Sequence, residues 1–135
     1  MAELVLDSTV TVTEGTPTRV RGGEAIAAGM AVYKDGTTKE HMKAVCDTTA
    51  HAEVEGIAVT PGGDGQDMLI AGNDCLLGGL TGLTAGVWYA LSDGTAGYLM
   101  PVADLASTNV STLVGYAPST TTFRVKIVNT SVTLA

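Results

Sequence analysis

A chain of 135 residues with a net charge of −7 and only seven Lys and Arg has the size of one domain, burying about 68% of its unfolded surface, and lacks the basic stripe a phosphate backbone demands. Hydrophobic residues reach 45% but aromatics only 4%, so the core is expected from Val, Leu, Ile, Ala and Met, with Trp88 as a large anchor, and 17 glycines announce many turns. No apolar run approaches the ~18 residues of a membrane span, and Met1-Ala2-Glu3 lacks the positive start and apolar core of a secretory signal, which points to synthesis in a cytoplasm.

Period-two alternation with β-branched residues makes Leu4 to Val12 a first strand or an arm, before Pro17 and Gly22-Gly23 break the chain. Met30–Tyr33 reads as a strand, and Asp35-Gly36-Thr37 as a tight turn, because Asp and Gly tolerate positive φ. A strand over Met42–Cys46 follows, then a hairpin of Glu53–Thr60 with Asp67–Ala71. Residues 73–82 form a Gly-rich joint. Beyond it come strands at Val87–Leu91 and Leu99–Val102 around Asp93-Gly94-Thr95, and a hairpin of Thr112–Ala117 with Thr122–Val128. In its second arm Phe123, Val125 and Ile127 alternate with Arg124 and Lys126, the signature of a half-buried strand.

The two runs of strands echo each other. Ile26-Ala27-Ala28-Gly29-Met30-Ala31-Val32-Tyr33 answers Leu83-Thr84-Ala85-Gly86-Val87-Trp88-Tyr89-Ala90, Glu55-Gly56-Ile57-Ala58 answers Val114-Gly115-Tyr116-Ala117, and Met68-Leu69-Ile70 answers Val125-Lys126-Ile127, at an offset of roughly 57 to 59 residues. The expected fold is all-β, a small sandwich or barrel of two repeated halves. One domain spans 1–135: an N-terminal arm or strand (1–20), a first half (21–72), the joint (73–82), a second half (83–128) and a C-terminal tail (129–135). A helix over Lys39–Val54 is disfavoured, because Pro101 stands in the matching stretch; single helical turns within Asp47–Ala52 or Ala103–Thr108 fit the pattern.

Chemistry-bearing motifs are few. Gly62-Gly63-Asp64-Gly65-Gln66-Asp67-Met68-Leu69 fits a calcium β-roll turn, with Asp64 and Asp67 as weak metal candidates, but such sites need tandem copies and its counterpart, Pro118-Ser119-Thr120-Thr121-Thr122, has no carboxylate. A hairpin turn explains it better. His41, Cys46, Asp47, His51, Glu53 and Glu55 lack metal-ligand spacing and read as solvated polar residues on strand edges. No nucleophile elbow or phosphate loop appears, so the chain reads as a non-enzyme without a cofactor. Cys46 and Cys75 read as free buried thiols. The segment without a counterpart, through Leu4, Val5, Leu6, Val10 and Val12, is the candidate partner-binding element, and the β-prone stretch Val128–Ala135 a second strap.

Four stretches carry a resemblance to a known family: Val10-Thr11-Val12-Thr13, Gly82-Leu83-Thr84-Ala85-Gly86-Val87-Trp88-Tyr89, Ala90-Leu91-Ser92-Asp93-Gly94-Thr95 and Leu113-Val114-Gly115-Tyr116-Ala117. Their turn-and-strand grammar resembles that of small β-rich bacteriophage capsid decoration, or cement, proteins; the departure is that the entry motif occurs twice. The resemblance implies a virion protein on the outer capsid surface that bridges neighbouring major capsid subunits, as a homo-oligomer and commonly a trimer, with no direct contact to nucleic acid or membrane. A glycan- or receptor-binding β-module of a phage fibre or adhesin is the alternative and predicts exposed aromatics at Trp88, Tyr98 or Tyr116. A small metal-assisted enzyme built on His41 and His51 is a third reading.

Overall fold

A computed structural model describes residue 6 and residues 9–45, 53–92, 96–101 and 110–133, with backbone alone at 110–111 and 129–133. The described residues contain strands and no helix. The strands are β1 (Thr11–Glu14), β2 (Thr18–Arg21), β3 (Ala31–Lys34), β4 (His41–Lys43), β5 (Val54–Ala58), β6 (Asp67–Ala71), β7 (Leu76–Gly78), β8 (Trp88–Leu91), β9 (Leu99–Pro101), β10 (Val110–Ser119) and β11 (Thr122–Thr133). They form a five-stranded sheet in the order β2-β6-β5-β3-β4 and a six-stranded sheet in the order β1-β7-β11-β10-β8-β9, with every named pair antiparallel. The fold is an all-β sandwich. The helical turns considered at Asp47–Ala52 and Ala103–Thr108 lie outside the described residues.

The two sheets follow one plan of pairing. Removing β1 leaves β7-β11-β10-β8-β9, strand for strand the order of the first sheet. Registers agree as well: Val32 pairs with Gly56 and Tyr33 with Val54, leaving Glu55 as the extra residue of a bulge. Tyr89 pairs with Gly115 and Ala90 with Leu113, leaving Val114 in the same place. Gly29 and Gly86 both adopt positive φ (97° and 82°), and each donates its N–H to a carbonyl in the hairpin's first arm, that of Ala58 or Ala117. Gly56 and Gly115 sit where a Cβ would run into the carbonyl of Ala71 or Arg124 on the neighbouring strand, so side-chain-free backbone is required at both. The pairing equates Ile70 with Phe123, whereas the sequence spacing pointed to Ile127; the second hairpin is shorter, and a fixed offset slides past it.

Two strands escape the sequence reading. Both β2 and β7 are short and flank β6 and β11; β7 falls inside the Gly-rich joint, where Leu76-Leu77 is too brief to show alternation. Of the expected first strand, Leu4–Val12, residues 4, 5, 7 and 8 lie outside the described residues. A strand forms at Thr11–Glu14 as the edge of the six-stranded sheet, with Val12 opposite Leu77. The turn at Asp35-Gly36-Thr37 forms by other means than expected. The Asp35 carboxylate accepts N–H bonds from Thr37 (2.8 Å) and Thr38 (3.0 Å), and the left-handed residue is Lys39 (φ 64°), not Gly36.

Burial explains the layering. One apolar cluster lies between the sheets: Ala31, Tyr33, Val54, Ile57 and Ala71 from the first meet Leu77, Tyr89, Leu91, Val114, Phe123 and Val125 from the second. Tyr89 and Phe123 are its large anchors, with ring centroids 6.1 Å apart. A second cluster of Ile26, Val32, Ala58, Met68 and Ile70 fills the inside of the five-stranded sheet. That sheet curls until its outer strands meet: Gly22, at the end of β2, bridges in parallel to His41 on β4, and Gly23 N–H donates to the His41 carbonyl at 2.8 Å.

Candidate binding surface

The N-terminal residues singled out in the sequence divide three ways. Leu4 and Val5 lie outside the described residues. Leu6 and Val10 are buried in the chain's own core, and Val12 packs against it half-buried. Leu6 and Val10 therefore correct the expectation: their apolar surface is already removed from water by this chain and is not presented to a partner. The segment still offers backbone. β1 is an edge strand, and its Thr11, Thr13 and Glu14 are exposed.

Asp64 and Asp67 do not converge on a cation site. Both are exposed, and Asp67 faces Arg19 at 3.8 Å. The carbonyls a β-roll would aim at calcium are used within the protein: Gly62 O accepts from Ile26 N–H, Gly63 O from Gln66 N–H and Gly65 O from the Arg21 Nε–H. Gln66 Oε1 closes the turn by accepting from Gly63 N–H at 2.9 Å. Asp67 begins β6 and Gly62 bridges to Ile26, so the motif serves as a hairpin turn pinned to the segment that follows β2. No cluster of three or more metal-binding side chains occurs among the described residues.

Of the His, Cys and acidic set, the structure brings together His41 and Glu55. His41 is 4% exposed, against the expectation of a solvated edge residue, because the curled sheet buries the seam on which it sits. Its Nε2 lies 3.3 Å from Glu55 Oε2, while its Nδ1 is buried with no partner. Glu55 reaches it as the bulge residue of β5. At the matching places of the six-stranded sheet stand Leu99 and Val114, both fully buried, so one plan of pairing takes a polar pair in one sheet and an apolar pair in the other. Glu53 is exposed, and Cys46, Asp47 and His51 lie outside the described residues. Cys75 is buried with a free thiol.

The main surface feature is the outer face of the six-stranded sheet. Trp88 was expected in the core; it is 40% exposed, because the strand alternation that sends Tyr89 inward sends Trp88 outward. Trp88 pairs with Tyr116 on β10, and Tyr116 with Arg124 on β11, so the three form a row across adjacent strands. The Trp88 and Tyr116 rings lie 4.9 Å apart at 46°. Further along the strands, pairing aligns Ala90, Leu113 and Val128, of which Ala90 is fully buried and Val128 45% exposed. Among the described residues, the cations on this face are Arg124 and Lys126, and both are engaged. Arg124 donates to the Asp74 carbonyl (2.8 Å) and to Glu14 (3.3 Å), and Lys126 bonds the Asp74 carboxylate. That contact holds the Asp74 carboxyl below the usual range, through the Lys126 hydrogen bond first and its charge second. In the first sheet, the positions matching Trp88, Tyr116 and Arg124 are Ala31, Ile57 and Ala71, all fully buried against the second sheet.

Comparison of the chain with protein-family models and with curated proteins finds no match.

Proposed function

We propose that this chain is a structural virion protein that attaches to the outer surface of a phage head and cements neighbouring major capsid subunits, acting as a homo-oligomer without catalysis or cofactor. The observation that carries the reading is the placement of the N-terminal strand. β1 runs at the edge of the larger sheet with Thr11, Thr13 and Glu14 exposed, and an incoming strand of a capsid subunit extends the sheet there. The family-like turn-and-strand grammar supports it from the sequence side. Added interface on several subunits at once makes separating them costlier against the pressure of packaged DNA, a stabilisation that follows mass action. In this reading the protein is made in the host cytoplasm and ends on the exterior of the virion, where a net charge of −7 favours solubility.

Heads assembled from the major capsid protein of the same virus, lacking this chain, are the test. Added protein is expected to co-sediment with them, appear as ordered density outside the shell and raise their rupture temperature. Removing residues 1–14 is a poor probe, because Leu6 and Val10 leave the core with it. Thr11→Lys is a better one: it charges the exposed edge and spares the core. Reduced occupancy with an unchanged melting temperature is expected. Full occupancy of Thr11→Lys refutes attachment through β1, and absence of any binding refutes the capsid reading.

A further inference from the structure

We propose that the row formed by Trp88 and Tyr116 is a stacking platform for a neutral saccharide, separate from the attachment edge and independent of the capsid reading. Four observations lead there. First, the fold does not require these rings. The matching positions of the other sheet are Ala31 and Ile57, fully buried, whereas Trp88 is 40% exposed with its ring 4.9 Å from that of Tyr116. An exposed indole beside a phenol, tilted at 46°, presents two apolar faces with polar tips, the chemistry that receives the C–H face of a pyranose.

Second, the exposed apolar area is that of a small ligand: a Trp side chain of up to ~250 Å² that is two-fifths exposed leaves ~100 Å². One to three sugar rings match that size. Third, charge excludes an anion. Arg124 and Lys126 are already paired with Glu14 and Asp74, and the chain as a whole is at −7, so a phosphate, an acidic polysaccharide or a nucleic acid finds repulsion and no free cation. Fourth, the two rings themselves carry groups suited to sugar hydroxyls, the Trp88 indole N–H and the Tyr116 hydroxyl. β1 and β8 are four strands apart in the sheet, ~19 Å at the usual strand spacing, so a head-bound protein keeps this row available.

Trp88 is the only tryptophan of the chain, so its emission reports the platform without a label. The isolated protein is titrated with cellohexaose, chitohexaose and maltohexaose, and with polygalacturonate as the anionic control. Binding of at least one neutral oligosaccharide is expected, with saturable quenching and a Kd of about 1 mM or tighter. Calorimetry should show binding by Trp88→Ala weakened roughly thirty-fold and by Tyr116→Ala roughly tenfold or more, with melting temperatures close to the parent's. The proposal is overturned by unchanged emission with all three neutral sugars, by tighter binding of polygalacturonate, or by an emission shift on raising protein concentration alone, which would mean that a second copy covers the face. Trp88→Ala is also expected to decorate heads normally; loss of decoration would make the row a capsid contact and refute the saccharide assignment while leaving the capsid reading intact.

Discussion

Replacing His41 by Leu should stabilise the protein, although it removes the buried partner of a carboxylate. His41 is 4% exposed, and its Nδ1 has no hydrogen-bond partner, a deficit of about 1–3 kcal/mol for a buried polar group. Its one contact, Nε2 to Glu55, is with a side chain 48% exposed, which rehydrates when the ring leaves. The second sheet shows that the site accepts apolar residues, since Leu99 and Val114 occupy the matching positions fully buried. His41→Leu is therefore expected to gain about 1 kcal/mol. Glu55→Val alone leaves both ring nitrogens without partners and should lose about 1–3 kcal/mol. The double variant His41→Leu/Glu55→Val should at least match His41→Leu, as apolar replacements of buried polar pairs commonly do. Urea denaturation with an unchanged m-value measures all three and completes a double-mutant cycle. A loss of more than ~1 kcal/mol in His41→Leu would refute the reasoning, because it would mean the ring satisfies a partner the structure does not show.

Three further predictions concern other parts of the molecule. Gly115→Ala drives a Cβ into the Arg124 carbonyl and to within 3 Å of the Phe123 ring, so chemical denaturation should show a loss of about 1–3 kcal/mol or more, with Gly56→Ala similar for the same reason at Ala71. Asp74 has its pKa lowered by Lys126, so the pair's contribution is present above the ordinary carboxylate pKa and lost as pH falls through the lowered one. Asp74→Asn, which keeps a residue tolerant of the left-handed backbone there (φ 74°), should flatten the melting temperature's decline below about pH 4, and high salt should shrink the difference. Calcium at about 1 mM should leave the melting temperature unchanged in the parent and in Asp67→Ala, because the turn's carbonyls are already bonded within the protein; a rise in the parent that Asp67→Ala abolishes would restore the cation site.

Much of the fold is legible in the sequence because strands write it in period two. Phe123 and Val125 are fully buried and Lys126 is exposed, as the alternation requires. β2 and β7 are not legible, since three or four residues show too little alternation. Register after the hairpins is not legible either, because a change in loop length shifts the offset without leaving a mark. Trp88 shows a different limit. Hydrophobicity says that a side chain favours burial, but the parity of its strand decides the face, and parity is fixed by partners far away in sequence. Leu6 and Val10 show the converse: an apolar arm without a counterpart in the other half looks available to a partner until the fold buries it. His41 and Glu55 meet only because a bulge and a seam coincide, which no local spacing records.

The account's central claim is attachment to the outside of a capsid. The most direct measurement is electron cryo-microscopy of heads lacking this chain, incubated with the purified protein. Ordered β-rich density on the outer surface, spanning neighbouring major capsid subunits with β1 at the contact, is the predicted result. Bare shells at saturating protein would contradict it.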